Sequence, residues 1–279
     1  MPTLHLAHSP ESDDAFMFWA LAAGMIATGD RRYVHELADI ESLTRRALDG
    51  ELEITAVSFH AYAYLHRRYA LLPHGCSMGD GYGPRLVAPA PREGDVARAL
   101  HGKLVAIPGE RTTAALALKL LCRDVRTVVV PFAHIEEHVL AGRADVGLLI
   151  HEGQLTYADR GLSLWCDLGA WFKQRTGLPL PLGGNVVRKD LGPALVRDVS
   201  RDLRASIVYG LEHRAPALAH ARQFARGMDE ERTDTFVGMY VNDYTVDYGP
   251  TGRAAVQRLL DEGHAAGLIP AIKAEFVAD

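Results

Sequence analysis

The chain has 279 residues, 48% of them hydrophobic, and its 30 lysine and arginine against 35 acidic side chains give a formal charge of −5. This length predicts two lobes, with enough apolar side chains to bury a core in each. The mild acidity and the lack of a basic tract argue against a nucleic-acid partner. Cys76, Cys122 and Cys166 are too scattered to indicate a disulfide framework or a zinc knuckle.

The amino-terminal segment favours a cytoplasmic protein without membrane attachment. Met1-Pro2-Thr3-Leu4-His5 lacks the cationic stretch ahead of an apolar one that marks a signal peptide. The longest apolar run, residues 15–27, is shorter than the ~20 residues that span a bilayer. The scattered cysteines fit a reducing compartment. The sequence leaves the oligomeric state open.

Strand-like and helix-like segments alternate from Leu4 to about Asp190, which predicts an α/β architecture with parallel strands. A first strand covers Leu4–His8, and helices follow over Ala15–Met25 and Glu36–Gly50. Later predicted strands lie at residues 53–58, 85–88, 103–107, 144–150 and 185–188. Later predicted helices lie at residues 61–65, 114–121, 194–211, 216–226 and 252–268.

Two stretches rich in glycine and proline, residues 73–91 and 177–184, interrupt this alternation. We interpret them as paired crossovers between lobes. The first lobe is then discontinuous, with residues 1–89 plus 183–279 and a helical carboxyl-terminal part, and residues 90–182 form a second α/β lobe. Two lobes joined in this way enclose a cleft, and such clefts commonly bind small molecules.

Three strand ends carry the candidate site residues. The run at 144–150 ends on His151, whose imidazole can accept a proton near neutral pH or merely cap the strand. Ser58 ends another strand, and Thr112 and Thr113 follow a third. Hydroxyls beside unpaired amides at a helix start suit a carboxylate or phosphate, although serine and threonine also cap helices that bind nothing. We expect all of these residues to converge in the cleft, where a ligand touching both lobes would favour closure over His151.

Several other side chains admit both a ligand role and a plain structural one. Asp13 and Asp14 could face the cleft or complement a helix dipole, and with His8 they could be drawn as a metal site, although solvated polar surface is the commoner case. Arg111 could pair with a carboxylate or face solvent, and Asn242 could reach the cleft or bond nearby backbone. Some aromatic side chains could stack on a substrate or pack in the core: Tyr157, Trp165, Trp171 and Phe172.

A series of short motifs extends along almost the whole chain: His8-Ser9-Pro10 with Asp14-Ala15-Phe16, Asp39-Ile40-Glu41-Ser42-Leu43, Ser58-Phe59-His60-Ala61-Tyr62-Ala63, Gly83-Pro84, Pro108-Gly109 with Thr112-Thr113-Ala114, Ile150-His151-Glu152 with Thr156-Tyr157, residues 167–171, residues 176–183 and Tyr240-Val241-Asn242. In this order and at these intervals, the motifs resemble the 1,4-dihydroxy-6-naphthoate synthase family of the futalosine route to menaquinone.

The resemblance implies a two-lobed periplasmic-binding-protein-like (type II) α/β fold with two crossover strands and a central cleft. It also implies base-initiated cleavage of cyclic de-hypoxanthinylfutalosine, a small-molecule carboxylate, to dihydroxynaphthoate and a sugar-derived fragment without metal or organic cofactor. The family's proposed base corresponds to His151. Its substrate contacts correspond to Ala56, Val57, Ser58, Thr113 and Ala114, and to these we add Thr112 from the loop chemistry and Asp14, which keeps the family's residue.

One stretch departs from the family's pattern. Where the family typically has Ser-Pro-Cys-Pro-Asn-Asp-Thr-Phe, this chain has Ser9-Pro10-Glu11-Ser12-Asp13-Asp14-Ala15-Phe16. The change lies at a helix start facing the predicted cleft, so it could retune the substrate. A paralogue or chorismate-dehydratase-like enzyme acting on another aryl or cyclic carboxylate is therefore an alternative. So is a solute-binding protein of a transporter, which would need a signal peptide or lipid anchor.

Overall fold

The computed structural model describes residues 3–225 and 227–278, which form two β-sheets with helices packed against them. The strands are β1 Thr3–His8, β2 Arg32–Leu37, β3 Ile54–Ser58, β4 Tyr69–Leu71, β5 Ser77–Gly79, β6 Arg85–Ala88, β7 Leu104–Ile107, β8 Arg126–Val129, β9 Val146–Leu149, β10 Ser163–Asp167 and β11 Leu180–Arg188. The helices are α1 Ser12–Ala22, α2 Ile40–Asp49, α3 Phe59–Leu65, α4 Val96–Leu100, α5 Thr113–Leu121, α6 Ile135–Leu140, α7 Gly153–Thr156, α8 Leu168–Thr176, α9 Pro193–Glu212, α10 Arg214–Ala221, α11 Glu230–Tyr240, α12 Asp243–Val246 and α13 Gly249–Ala265.

The first sheet has the strand order β2-β1-β3-β11-β4, and β5 also pairs with β11. β1 runs parallel to β2 and β3, whereas β11 runs antiparallel to β3, β4 and β5. Because β11 returns to this sheet late in the chain, both ends of the sequence contribute to one unit. We call this sheet, with α1 to α3 and α9 to α13, the first lobe.

The second sheet has the order β10-β6-β9-β7-β8 and, with α4 to α8, forms the second lobe. β9 is buried at every position and pairs in parallel with β7, which confirms the predicted buried parallel strand. Its other neighbour, β6, is antiparallel. The two sheets with their helices confirm the predicted α/β class.

The chain passes between the sheets twice, once between β5 and β6 and once through α8 into β11. β6 hydrogen-bonds to β9 and β10, so it lies in the second sheet, whereas the sequence predicts that residues up to 89 belong to the first lobe. β11 already pairs with β5 at Leu180, before the predicted boundary at residue 183. Both differences arise because strand pairing continues into the segments rich in glycine and proline.

The predicted helix over Glu36–Gly50 is wrong at its beginning. Residues 32–37 form the edge strand β2, which pairs with β1 along its whole length, and the helix begins only at Ile40. Asp39 caps that helix by accepting a hydrogen bond from the Ser42 amide at 2.9 Å. The predicted helix at 216–226 instead covers Arg214–Ala221, and α11 was not predicted as a separate helix.

The largest hydrophobic cluster extends through both lobes. It includes Val57 and Phe59 from the first lobe and Val105 and Leu116 from the second. α5 packs against α3 and α13, so the lobes share a continuous apolar contact on one side of the cleft. Across residues 3–225 and 227–278, every helix is too short or too polar to cross a lipid bilayer.

The two passages between the lobes touch backbone to backbone at Gly169. A Cβ atom added there would lie 1.8 Å from the Tyr82 carbonyl oxygen and 2.7 Å from the Gly83 nitrogen. The Leu168 amide donates to the Pro84 carbonyl at 2.9 Å, which holds the passages together. The missing side chain at Gly169 therefore sets how closely the two connections approach.

Replacing Gly169 by alanine is expected to lower the free energy of unfolding by roughly 1 to 3 kcal/mol. The new methyl group would overlap backbone atoms, which cannot move aside by changing a side-chain rotamer. Gly238→Ala is the matched control: it lies in α11, and the nearest atom to an added Cβ is the Arg214 Nη2 at 3.5 Å. That change is expected to leave stability unchanged or raise it by up to about 1 kcal/mol. Urea unfolding followed by circular dichroism compares the variants, and a wild-type midpoint for Gly169→Ala would contradict this account.

Candidate active site

A cavity of about 140 Å³ lies between the lobes. Its walls come from the β1–α1 turn, the end of β3, the start of α5, the turn after β9, the middle of β11, and α11. The three strand ends singled out in the sequence therefore meet around one space. All of the residues predicted for the site line it: Asp14, Ala56, Val57, Ser58, Thr112, Thr113, Ala114 and His151. Their roles toward a substrate stay predictions.

His151 lies in the turn directly after β9 and has a φ of 73°, the one positive φ among the described residues other than glycine. Such a backbone conformation is uncommon outside glycine and is found disproportionately at functional sites. The ring of Phe132 lies edge-on to the imidazole, with 4.4 Å between the ring centroids. The imidazole is therefore held from one side by an aromatic ring while it lines the cavity.

Glu11 contacts His151 from the opposite lobe. Its Oε2 atom is hydrogen-bonded to the His151 Nδ1, and only 11% and 12% of the two side chains are exposed. Glu11 is the residue just before α1, but its carboxylate makes no capping hydrogen bond to that helix. The sequence singled out Glu11 as a departure from the family's pattern, and the pairing with His151 was not predicted.

The hydroxyls of Ser58, Thr112 and Thr113 all act within the protein. Each donates a hydrogen bond to a carbonyl oxygen: Ser58 to Arg111, Thr112 to Gly109 at 3.0 Å, and Thr113 to Leu182 at 2.6 Å. Each also accepts a hydrogen bond from an amide of a helix start, those of Ala61, Ala115 and Phe59. The capping interpretation accounts for these bonds, and those of Ser58 and Thr113 also link the lobes.

The hydroxyls of Ser58, Thr112 and Thr113 are already used within the protein, so hydrogen-bond donors for a ligand must come from elsewhere. The backbone amides at the amino terminus of α5 can supply them. The first amides of a helix have no partner within the helix, and the helix dipole gives them a partial positive charge. In α5 these are the amides of Thr113 and Ala114, and both residues line the cavity. This end of the helix can therefore receive an anionic group.

Two further carboxyl groups line the cavity from the first turn of α1. Asp13 and Asp14 are only 7% and 8% exposed, and the Asp14 Oδ2 accepts a hydrogen bond from the Ser9 amide at 2.8 Å. Burial raises the pKa of Asp13 well above its usual range, and the neighbouring Asp14 and Glu11 raise it further. Burial also raises the pKa of Asp14, against the hydrogen bond from Ser9. Each of these carboxyl groups therefore keeps its proton to a higher pH than an ordinary aspartic acid does. Among the described residues, no lysine or arginine lines the cavity.

The aromatic rings in the cavity differ from the predicted ones. Phe236 and Tyr240 of α11 line it, and the Tyr240 hydroxyl lies 2.7 Å from the side-chain amide of Gln154 in the second lobe. The Tyr240-Val241-Asn242 motif was the signal for Tyr240, and nothing in the sequence analysis pointed to Phe236. The predicted rings lie elsewhere, with Trp171 beside Arg175, Tyr157 under Arg85, Trp165 bonded to the Ala90 carbonyl and Phe172 in the core.

The remaining candidates adopt the structural alternatives. The His8 ring is bonded to the Ser9 carbonyl at 2.9 Å, and burial lowers its pKa to about 4. Within the part of the chain that the structure describes, no group of three or more His, Cys, Asp or Glu residues is placed to hold a metal ion. Arg111 is exposed and lies over the Tyr64 ring. Asn242 caps α12 by accepting a hydrogen bond from the Tyr244 amide at 3.0 Å.

Comparison with solved structures places this fold among known ones. The chain superimposes on a crystal structure of a protein from Archaeoglobus fulgidus with a TM-score of 0.91 and 43% identity, covering 96% of this chain and 98% of the other. The alkanesulfonate-binding protein SsuA from Xanthomonas axonopodis pv. citri aligns with a TM-score of 0.71 and 11% identity over 98% and 96% of the two chains. A Candida albicans protein described as having the generic periplasmic binding protein fold aligns with a TM-score of 0.71 and 12% identity over 98% and 92%. The last two show the fold alone, a two-lobed periplasmic-binding-protein architecture, as the sequence predicted.

Sequence comparison identifies further relatives of nearly the same length. A protein named 1,4-dihydroxy-6-naphthoate synthase from Thermus thermophilus is 40% identical over 268 residues, 96% of each chain. A protein of the same name from Streptomyces coelicolor is 37% identical over 99% of this chain and 98% of its own. The family model described as menaquinone biosynthesis matches residues 4–265. The chain therefore belongs to the menaquinone biosynthesis family.

Proposed function

We propose that this protein is a 1,4-dihydroxy-6-naphthoate synthase that cleaves cyclic de-hypoxanthinylfutalosine by elimination, with His151 as the base. In this proposal it is a cytoplasmic lyase acting on carbon–carbon or carbon–oxygen bonds without a cofactor. The observation that carries the proposal is the imidazole of His151, which lines an interlobe cavity in a chain 40% identical to a protein of that name.

The contact with Glu11 supports a base role for His151. With Nδ1 donating to the Glu11 carboxylate, the neutral ring has its lone pair on Nε2, so Nε2 is the atom that accepts the substrate proton. The electron pair of the broken C–H bond then expels the leaving fragment. The imidazolium that forms is stabilised by the Glu11 carboxylate beside it.

Anion binding in this cavity requires a source of positive potential other than a side-chain cation. The amides at the start of α5 are that source, and they suit the carboxylate of the proposed substrate. Asp13 and Asp14 would repel this carboxylate if both were ionised. Burial raises the pKa of each, which extends to higher pH the range in which this repulsion is weakened, and either acid in its protonated form can donate a hydrogen bond instead.

One observation favours a second candidate, an enzyme acting on another aryl or cyclic carboxylate. Glu11 and Asp13 line the cavity at positions where the family typically has cysteine and asparagine. A substrate that differs near these side chains would fit this change. Wild-type protein that is inert toward cyclic de-hypoxanthinylfutalosine but binds another aryl carboxylate tightly would favour this alternative.

Replacing His151 by asparagine is expected to lower kcat by about 10²- to 10⁴-fold, the usual contribution of a general base. Asparagine tolerates the positive φ at this position, so the turn after β9 should persist. Release of dihydroxynaphthoate from the cyclic nucleoside is measured by chromatography, and binding of the product by calorimetry. His101→Asn, at an exposed histidine, is the control. A His151→Asn variant with wild-type turnover would contradict the proposal.

Replacing Asp13 by asparagine is expected to raise the melting temperature by an amount that grows with pH. The pKa of Asp13 lies well above 3.8 in the native protein, so the native state keeps a proton that the unfolded chain releases. The stability associated with that proton is present at low pH and is lost as the pH rises through the native pKa. Asparagine does not titrate. Thermal unfolding at about pH 5 and about pH 8 makes the comparison, with the exposed Asp124→Asn as control. The same gain at both pH values would refute the buried-acid interpretation.

A further inference from the structure

We infer that Glu11 is a positioning residue for His151, and that the catalytic base is complete only when the two lobes close. This inference rests on the proposed role of His151 as the base. It assigns a role to the side chain that departs from the family's pattern, where the corresponding residue is typically cysteine.

The two partners belong to different lobes. Glu11 lies between β1 and α1 in the first lobe, and His151 follows β9 in the second. Their side chains meet at the cavity wall and exclude most solvent, with 11% and 12% of their surfaces exposed. Separation of the lobes would move the carboxylate away from the imidazole, so the pair can form only in the closed arrangement.

In enzymes that use a histidine base, a neighbouring carboxylate commonly orients the imidazole and stabilises its protonated form. Glu11 is placed to do both for His151. A carboxylate on Nδ1 selects the tautomer with the lone pair on Nε2 and limits rotation of the ring. When Nε2 takes a proton from the substrate, the proton stays on Nε2 and the Nδ1 proton stays between the ring and Glu11. The carboxylate offsets the charge of the imidazolium, and no proton has to be transferred to Glu11.

Other contacts hold the lobes together independently of Glu11. The Thr113 hydroxyl donates to the Leu182 carbonyl, the Ser58 hydroxyl donates to the Arg111 carbonyl, and the Tyr240 hydroxyl lies 2.7 Å from the Gln154 amide. Loss of the charge on Glu11 therefore leaves most of the closing contacts in place. Its main effect should be on kcat, with a smaller effect on KM.

Several titratable groups surround the pair and contribute to any pH dependence. Asp13 and Asp14 face it from α1, Glu152 follows His151 in the same turn, and Tyr240 faces it from α11. Of these, the buried Asp13, Asp14 and Tyr240 all have raised pKa values. Glu11 is hydrogen-bonded to the imidazole itself, so its removal should change the acid limb of the rate profile most.

The test compares Glu11→Gln, which keeps the shape and loses the charge, with Glu11→Asp, which keeps the charge. Glu11→Gln is expected to lower kcat by at least about tenfold and to move the acid limb of the pH–rate profile to lower pH. Glu11→Asp should recover part of both. Tyr240→Phe, which breaks another contact between the lobes, should raise KM and leave the acid limb in place. A wild-type kcat and acid limb in Glu11→Gln would overturn the inference.

A second measurement does not depend on turnover. Proton NMR of the wild type with dihydroxynaphthoate bound should show a low-field resonance for an imidazole proton bonded to a carboxylate. The resonance should vanish in both Glu11→Gln and His151→Asn and persist in Tyr240→Phe. If this pattern is seen but the wild type fails to cleave the cyclic nucleoside, the Glu11–His151 hydrogen bond is supported and the proposed function is wrong. A resonance that persists in Glu11→Gln overturns the pair whatever the reaction is.

Discussion

The hydrogen bond between Glu11 and His151 joins the start of α1 in one lobe to the turn after β9 in the other. The side chains involved are almost buried, and their contact requires the cavity walls to be close together. The hydroxyls of Ser58 and Thr113 meet the same requirement, because their hydrogen bonds also link the lobes. Within the second lobe, the Phe132 ring holds the imidazole from one side.

Electrostatics impose a second constraint on this cavity. It contains the carboxyl groups of Glu11, Asp13 and Asp14, and none of the lysine and arginine side chains that the structure describes lines it. An anionic substrate is compatible with such a site only if most of these acids are neutral and if the backbone supplies positive potential. The raised pKa values of Asp13 and Asp14 act in the direction of the first condition, and the amides at the start of α5 supply the positive potential.

Local signals in the sequence were sufficient for the strand ends and helix starts that surround the cavity. Apolar runs followed by Ser58, by Thr112 or by His151 located three of its walls, because burial and capping leave short-range patterns. The edge strand β2 was missed because none of its residues is buried, and only pairing with β1 makes it a strand. The Glu11–His151 contact, between residues 140 positions apart, depends on how the lobes close, and no local pattern encodes that geometry.

The most direct measurement is a crystal structure of the protein with 1,4-dihydroxy-6-naphthoate bound. The account predicts closed lobes, the product carboxylate on the Thr113 and Ala114 amides at the start of α5, and the His151 Nε2 within ~3 Å of the bound ring system or of a water beside it. Glu11 should remain on Nδ1. Product bound outside the cavity, or an imidazole turned away from it with Glu11 paired elsewhere, would contradict the account.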